Sequence, residues 1–353
     1  MRLNFVGDIM LGRGVAEILR EKGTDHLFSG LRDELPTASG TIGNLEAPFT
    51  CGGTAFRGKA TNLTFRVDPG LARALARMGI TSVTLANNHA VDYGLDGIRS
   101  TLETLKSNGQ LYTGVGHDIE DAIRPIIFED TDSGQRIGLF AFNAFVPFSR
   151  TAGKKRYGVA RLDERTVASA LDHYKNSVTG VILSVHWGID YHPFPVPALI
   201  KRIKGIMAAY PEILAVVGHH PHIQQPVIEY FQRPIFCSLG NFLFDEPFPP
   251  SRLGSILTLD IENNRLKDYS LKFMRLTDDF RMIPLEQEAV QKERKRLDGI
   301  CYTMRRNDEE YRRTDWRWIR YLLYQSLHHR SINDLSFLTS LYSPQQILRG
   351  LVQ

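Results

Sequence analysis

The chain has 353 residues, of which 42% are hydrophobic and 23% are charged, as is usual for a soluble globular protein. Its formal net charge of +4 is small for this length, so charge alone gives no reason to predict nucleic-acid binding. Three cysteines, Cys51, Cys237 and Cys301, are too few and too far apart for a disulfide framework or a cysteine-based zinc site.

Short apolar runs alternate with amphipathic segments through the first two thirds of the chain. The runs predict strands at 3–8 and 82–87, and further strands within IGLFAFNAF, GVILSVHWG and ILAVVGHH. Helical periodicity predicts helices within DPGLARALARMG, GLDGIRSTLETLKSNG, DERTVASALDHYKN and VPALIKRIKGIMAAYP. Buried strands separated by helices of this length predict an α/β domain.

The pattern changes after Gln224, where two hairpins are predicted, the second turning at Asn263 and Asn264. From about Pro284 the chain is charged and helical. We therefore predict a main domain over 1–283 and a helical C-terminal extension over 284–353. The aromatic side chains of this extension are expected to pack on the main domain, with a partner surface as the alternative.

Polar side chains follow several predicted strands. They are Asp8; Asn44 and Glu46; Asn87, Asn88, His89 and Asp92; His186; and His219, His220 and His222. In open α/β sheets, ligands collect outside the carboxyl ends of the strands. Each residue alone has an ordinary structural explanation, such as a helix cap or a hydrogen-bonded core histidine. Together they favour one polar site, because burying so many polar groups without a shared partner is costly.

The residue types at these strand ends indicate a metal site. Imidazole, carboxylate and amide groups without thiolate suit Mn²⁺, Fe or Zn²⁺ in a site open to water. A carboxylate between two such ions can bridge them at a separation of about 3.5–4 Å, and the pair can activate a water for in-line attack. We predict one or two divalent ions per chain.

The order of several motifs resembles that of the CapA family, the poly-γ-glutamate capsule synthesis proteins. These motifs are GDIMLGRGV, NLEAPFT, LANNHAVDYGLDGIRSTLETL, VHWGIDYHPFPVP, VGHHPHIQQPVIEY and SLGNFLFD, and they extend from about Asn4 to Asp245. That family belongs to the calcineurin-like metallophosphoesterases. The resemblance therefore implies two packed β-sheets flanked by helices, a four-layer α/β/β/α sandwich whose site usually holds two metals.

The resemblance also implies roles for single residues. Metal 1 would be held by Asp8, Glu46 and His222, and metal 2 by Asn88, His186 and His220, with Glu46 in the position of the bridging carboxylate. His89 would assist the leaving group or stabilise the transition state, oriented by Asp92, and His219 would lie behind the ligands. Met10 stands where the superfamily usually has a histidine, so metal 2 is predicted to be the tighter site.

These features predict a metal-dependent hydrolase of the CapA type, in which a metal-bound hydroxide attacks a phosphoester or a γ-glutamyl amide in poly-γ-glutamate or capsule metabolism. Arg13 and Arg57 are candidates to hold a small anionic or γ-glutamyl substrate. The alternative is a non-catalytic accessory protein of a polymer-synthesis complex, with a structural or vestigial metal site. A nucleic-acid-processing phosphoesterase ranks last, because the core lacks a basic-aromatic binding stretch.

The sequence also allows a prediction of the cellular location of the protein. No signal-peptide pattern is found at the N-terminus, and no run approaches the roughly 20 apolar residues that span a bilayer. We therefore expect a cytoplasmic protein without a membrane anchor.

Overall fold

The structure is a computed structural model that describes residues 1–31, 34–56, 59–144, 150–329 and 338–352. Two large β-sheets form its centre. The first, eight-stranded within the described residues, contains β1 (Arg2–Ile9), β2 (Gly40–Leu45), β3 (Ser82–Thr84), β4 (Leu111–Thr113), β13 (Asn241–Leu243), β14 (Leu253–Glu262), β15 (Arg265–Leu276) and β16 (Met282–Pro284). Their order is β16-β15-β14-β1-β2-β3-β4, and β13 also pairs with β1.

The second sheet comes from the middle of the chain. In the described residues it contains β6 (Ile126–Asp130), β7 (Gln135–Asn143), β9 (Gly180–His186), β10 (Ile213–His219), β11 (Gln224–Tyr230) and β12 (Arg233–Leu239), in the order β11-β12-β10-β9-β7-β6. A small antiparallel pair joins β5 (Val115–Gly116) to β8 (Gly158–Val159).

The helices lie on the outer faces of the two sheets or in the C-terminal region. They are α1 (Arg13–Leu27), α2 (Arg73–Arg77), α3 (Gly94–Ser107), α4 (Ile119–Ala122), α5 (Glu164–Tyr174), α6 (Pro197–Ala209), α7 (Gln287–Arg305), α8 (Glu309–His329) and α9 (Pro344–Val352). None of the described helices is both long enough and apolar enough to cross a membrane.

Alternation along the strands produces the layers. On β1, Leu3 and Phe5 are buried between the two sheets with Leu139 and Ile182 of the second sheet. Other strand residues pack outwards, against α1 and α3 on the first sheet and against α5 and α6 on the second. The predicted fold, two packed β-sheets flanked by helices, is confirmed.

The parallel strands of both sheets end at the same edge. In the first sheet, Asp8 at the end of β1 is the register partner of Asn44 at the end of β2. In the second, His186 at the end of β9 is the register partner of His219 at the end of β10. Because carboxyl ends of parallel strands share one edge of a sheet, the chemistry-bearing residues of both sheets come together there.

Two predicted elements are shorter than expected. The strand predicted over 82–87 ends at Thr84, because the Asn87 N–H bonds back to the Leu85 carbonyl at 2.8 Å and turns the chain. The helix predicted within 68–79 is divided into a 3-10 turn at Pro69–Leu71, capped by Asp68, and the short α2.

The predicted C-terminal helices pack against the second sheet's outer layer. Trp318 and Leu322 of α8 are fully buried there. Asp315 Oδ1 accepts hydrogen bonds from the Ala198 N–H in the first turn of α6 (3.1 Å) and from the Tyr342 hydroxyl (2.6 Å). A side chain of α8 thus satisfies one of the free N–H groups at the start of α6. The boundary between the two parts at 283/284 stays a prediction.

Candidate metal centre

Asn44 holds two buried carboxylates at the ends of the first two strands. Its Nδ2 donates to Asp8 Oδ1 (2.8 Å) and to Glu46 Oε2 (3.2 Å). Its own Oδ1 accepts from Asn87 Nδ2 at 3.1 Å. All four side chains are buried. Asn44 therefore orients Asp8 and Glu46 and presents N–H groups rather than a ligand oxygen to them.

Two imidazoles approach Glu46 from the second sheet. His186 Nε2 lies 3.4 Å from Glu46 Oε1 and 2.8 Å from Asn88 Oδ1. His222 Nε2 lies 3.7 Å from the same Glu46 oxygen, and His222 Nδ1 lies 2.9 Å from Asn241 Oδ1. The contact with Asn241 fixes the ring and leaves Nε2 directed at the carboxylate.

The segment from His219 to His222 has an unusual backbone conformation, which directs its imidazole rings differently. His219 Nδ1 lies 3.0 Å from Asp8 Oδ1, and the His220 N–H donates to Asp8 Oδ2 at 3.2 Å. His220 and His222 have φ angles of 96° and 56°. Such left-handed backbone costs about 1–3 kcal/mol per non-glycine residue and is typical of functional sites. This strained backbone conformation allows His220 and His222, which are separated by one proline, to reach the same site.

Gly218 allows the histidine segment to lie close to β12. A Cβ at this position would lie 2.1 Å from the Cys237 carbonyl oxygen and 2.7 Å from Trp187 Nε1. The Trp187 indole donates to that same carbonyl at 2.8 Å. A larger residue would therefore displace the strand end that carries His219.

The six predicted ligands converge on one buried site. Their possible ligand atoms form two groups within 4.8 Å, Asp8 with Glu46 and His222, and Glu46 with His186 and His220. Asn88 completes the set through its contact with His186. Glu46 is common to both groups, which is the arrangement expected of a bridging carboxylate. The assignment of these residues to metal 1 and metal 2 stays a prediction.

The chemistry of these side chains fits a divalent cation. Glu46 is fully buried, and its Oε1 has no hydrogen-bond partner among the described residues. Burial, together with the charges of Asp8 and Asp190, raises the pKa of Glu46 well above its ordinary value. Burial and neighbouring imidazoles lower the pKa of His186 well below its ordinary value. Neutral imidazoles and a buried carboxylate are suitable ligands for a divalent cation. A bound cation would stabilise the ionised form of Glu46.

Asp8 differs from Glu46 in its hydrogen bonds. Burial alone would favour its neutral form, but His219, His222 and Asn44 together outweigh burial and hold the pKa of Asp8 below its ordinary value. Asp8 is therefore a carboxylate at neutral pH and available as a ligand. Its two oxygens already accept from surrounding groups, which fixes their direction.

His89 and Asp92 form a second buried network beside the ligands. His89 Nδ1 lies 2.8 Å from Asp92 Oδ2, and the Phe65 ring stacks on the imidazole with centroids 4.0 Å apart. Lys59 Nζ donates to Asp92 Oδ1 at 2.7 Å and lies 2.9 Å from His89 Nδ1. Burial, followed by the charge of Lys59, lowers the pKa of His89 to about 4. His89 is therefore neutral at pH 7.

The alternative structural role of Asp92 as a cap of α3 is wrong. The N-cap position is Tyr93, and no side chain of the described residues makes a capping hydrogen bond there. Instead Asp92 Oδ2 accepts the Phe65 N–H at 2.7 Å, in addition to its contacts with His89 and Lys59. Asp92 thus joins the loop after β2 to the histidine.

Three residues of this region were missed by the sequence analysis. Lys59 lies in a polar loop, where a lysine gives no local sign of burial. Asn241 lies in SLGNFLFD, and its contact with His222 depends on the pairing of β13 with β1. Asp190 follows His186 by four positions, a spacing that could have marked it as a further carboxylate near the strand end.

The two candidate substrate-binding arginines have different outcomes. The Arg13 guanidinium is bound to Asp245, lies 3.5 Å from Glu246 and sits 4.7 Å above the Phe65 ring. It is therefore already paired, at the rim of the histidine network. Arg57 lies outside the described residues.

Comparison with known proteins gives a family match over most of the chain. The model of the family described as "Bacterial capsule synthesis protein PGA_cap" matches residues 2–246. The capsule biosynthesis protein CapA of Bacillus anthracis is 29% identical over 75% of this chain and 64% of its own length. The PGA biosynthesis protein CapA of Bacillus subtilis (strain 168) is 28% identical over 74% of this chain and 68% of its own length.

The chain thus spans a little under two thirds of the B. anthracis relative. Among solved structures, the NAD nucleotidase of Haemophilus influenzae aligns with a TM-score of 0.43 at 15% identity, over 85% of this chain and 55% of that one. Because this TM-score is low, the family assignment rests on the family match over residues 2–246.

Proposed function

We propose that this chain, which belongs to the bacterial capsule synthesis protein family, is a metal-dependent hydrolase that cleaves a phosphoester or a γ-glutamyl amide. The observation that carries the proposal is the position of Glu46. Its carboxylate is common to two groups of ligand atoms from different sheets, and one of its buried oxygens lacks a hydrogen-bond partner among the described residues.

The residues divide into those that would hold cations and those that would handle substrate. Asp8, Glu46 and His222 would hold one ion, and Asn88, His186 and His220 with Glu46 would hold the other. Divalent cations at such positions supply Lewis acidity, which polarises the bond to be cleaved and makes water more acidic.

His89 is the residue proposed to assist the leaving group or to stabilise the transition state. Asp92 engages its Nδ1, so Nε2 is the nitrogen that remains for the substrate. Stacking on Phe65 fixes the plane of the ring. Lys59, whose ammonium is paired with Asp92, lies on the same side of the ring as Nδ1.

The substrate class is proposed from the family and from charge. The two Bacillus relatives are named for capsule and PGA biosynthesis, so a γ-glutamyl amide is one candidate. The other is a phosphoester, because two cations would stabilise negative charge that develops during its cleavage.

The test is turnover by metal-free protein to which Mn²⁺, Fe²⁺ or Zn²⁺ is returned. Phosphomonoesters, phosphodiesters and γ-glutamyl peptides should be screened, with metal content measured on the same preparation. Glu46→Gln should lose both metal and activity, whereas His117→Ala, which removes a half-exposed histidine, should lose neither. Absence of turnover on all three substrate classes by metal-loaded protein would contradict the proposed hydrolase.

A non-catalytic accessory role in polymer synthesis is the second candidate, favoured by the naming of the relatives for biosynthesis. On that proposal the cations would stabilise the fold. Metal-loaded protein would then be more stable than metal-free protein and would still show no turnover.

A further inference from the structure

Asp190 lies on the loop after β9 and faces the two histidines of the His-Pro-His segment. Its Oδ1 is 3.5 Å from His220 Nε2 and 3.9 Å from His222 Nε2. The Asp190 side chain is 38% exposed, whereas the His220 and His222 side chains are 1% and 7% exposed. A carboxylate thus lies on the solvent side of two buried imidazoles.

The loop that carries Asp190 is fixed to the histidine segment. The Tyr191 N–H donates to the Pro221 carbonyl at 2.8 Å, between the two histidines. The Tyr191 hydroxyl donates to Glu246 Oε2 at 2.8 Å, and its φ angle of 56° is left-handed. These contacts fix the backbone of the residue next to Asp190.

The distances suit ligands around one ion better than hydrogen bonds. Both separations are at or beyond the limit of an N–H···O hydrogen bond. Two ligand atoms at about 2.1 Å from a common ion are about 3.0–3.5 Å apart at octahedral or tetrahedral angles. The Asp190–His220 separation lies at the upper end of this range, and the Asp190–His222 separation exceeds it by about 0.4 Å.

Asp190 supplies a further carboxylate to the cluster. Met10 is turned away from a ligand role, because its sulfur accepts the Gly12 N–H at 3.1 Å. β1 therefore contributes only Asp8 to the cluster. The possible ligand atoms of Asp190, His220 and His222 lie within 4.8 Å of one another and form a third group that overlaps both of the others.

We propose that Asp190 is a ligand of the metal centre, binding a divalent cation together with His220 and His222 on the solvent side of the site. Each imidazole nitrogen binds one ion. A cation held by Asp190, His220 and His222 would therefore compete with the two cations proposed above, which use the same two histidines. Of the three groups found among the described residues, this group is the one that includes a partly exposed side chain, that of Asp190. The inference rests on the metal centre of the proposed function and extends it to a residue outside its ligand set.

The experiment is Mn²⁺ binding to chelator-treated full-length protein, measured by calorimetry and by the electron paramagnetic resonance signal of free Mn²⁺. Asp190→Asn removes the charge with little change in shape, and Asp190→Glu keeps a carboxylate. Asp245→Asn is the charge control, because its carboxylate contacts Arg13 and the Gly14 N–H instead of an imidazole. Circular dichroism and unfolding curves establish that each variant is folded.

Asp190→Asn should weaken Mn²⁺ binding by at least about tenfold, since losing even an indirect support of a ligand costs about 10–100-fold in metal affinity. Asp190→Glu should recover most of that loss, and Asp245→Asn should bind nearly as the parent does. Unchanged affinity in Asp190→Asn, or an equal loss in Asp245→Asn, would overturn the role of Asp190 while leaving the metal centre intact. Failure of the parent protein to bind Mn²⁺ or Zn²⁺ would instead overturn the metal centre and this inference with it.

Discussion

Lys59 Nζ lies 2.7 Å from Asp92 Oδ1, and both side chains are buried, at 2% and 0% exposure. This ion pair contacts the His89 imidazole. The opposite charges of Lys59 and Asp92 therefore compensate each other beside the proposed metal ligands. Burial lowers the pKa of Lys59, and the charge of Asp92 opposes that effect. The pair couples the stability of the loop before β3 to the geometry of the site.

Lys59→Met should be strongly destabilising. It leaves the buried Asp92 carboxylate without its ammonium partner, and breaking a buried pair by removing one member typically costs about 3–5 kcal/mol. Urea unfolding should detect this loss. Lys267→Met, which breaks the exposed contact with Glu262, should leave stability nearly unchanged. Equal, small effects of the two variants would show that the Lys59 pair is not buried as described.

His89→Ala should leave the metal content nearly intact and reduce turnover by about 10²–10⁴-fold, the usual contribution of general acid–base assistance. The reason is that His89 engages Asp92 through Nδ1 and belongs to none of the three groups of ligand atoms found among the described residues. Metal analysis, melting temperature and turnover on one preparation separate the possibilities. Loss of metal on substitution would make His89 a ligand and the assigned role wrong.

Titration of metal-free protein should show one strong binding step and one weak step. The group of Glu46, His186 and His220 is joined by Asn88, whereas the group of Asp8, Glu46 and His222 gains no ligand from Met10, whose sulfur accepts the Gly12 N–H. Mn²⁺ binding followed by calorimetry measures both steps. Two equally tight steps would contradict this order.

The stability difference between Asp315→Asn and the parent should depend on pH. Burial, which outweighs the Tyr342 and Ala198 hydrogen bonds, raises the pKa of Asp315 above its ordinary value of 3.8. The folded chain therefore binds this proton more tightly than the unfolded chain does. The stabilisation is fully present below about pH 3.8 and is lost as the pH rises through the raised pKa.

Asp315→Asn keeps an acceptor for Ala198 and Tyr342 but has no proton to lose. Relative to the parent, its free energy of unfolding should rise with pH above about 4 and then become constant. Unfolding curves at several pH values measure this difference. Asp278→Asn, which removes a fully exposed carboxylate, should show no comparable change. A pH-independent difference for Asp315→Asn would show that Asp315 ionises normally.

The positions of the proposed metal ligands could be predicted from the sequence better than the residues that hold those ligands in place. Asp8, His186 and His219 could be placed at or next to strand ends because each follows an apolar run. Asn44 was expected near the bridging position, but its function of orienting two carboxylates required the register of β1 and β2. Lys59 was invisible to pattern analysis, because its burial comes from contacts with residues about 30 positions away.

By itself the sequence determined the alternation of strands and helices, the identity of the chemically active side chains and their order along the chain. Local periodicity and turn residues contain that information, as at Asn263 and Asn264, whose left-handed φ angles match the predicted turn. Only the tertiary structure decided which of these side chains meet. Packing of two sheets brings Asp8 within 3.0 Å of His219, 211 positions later, and places Asp190 over His220 and His222. The strand-end pattern predicts one shared site, but the individual contacts arise from burial shared between distant segments, which the local pattern of residues does not specify.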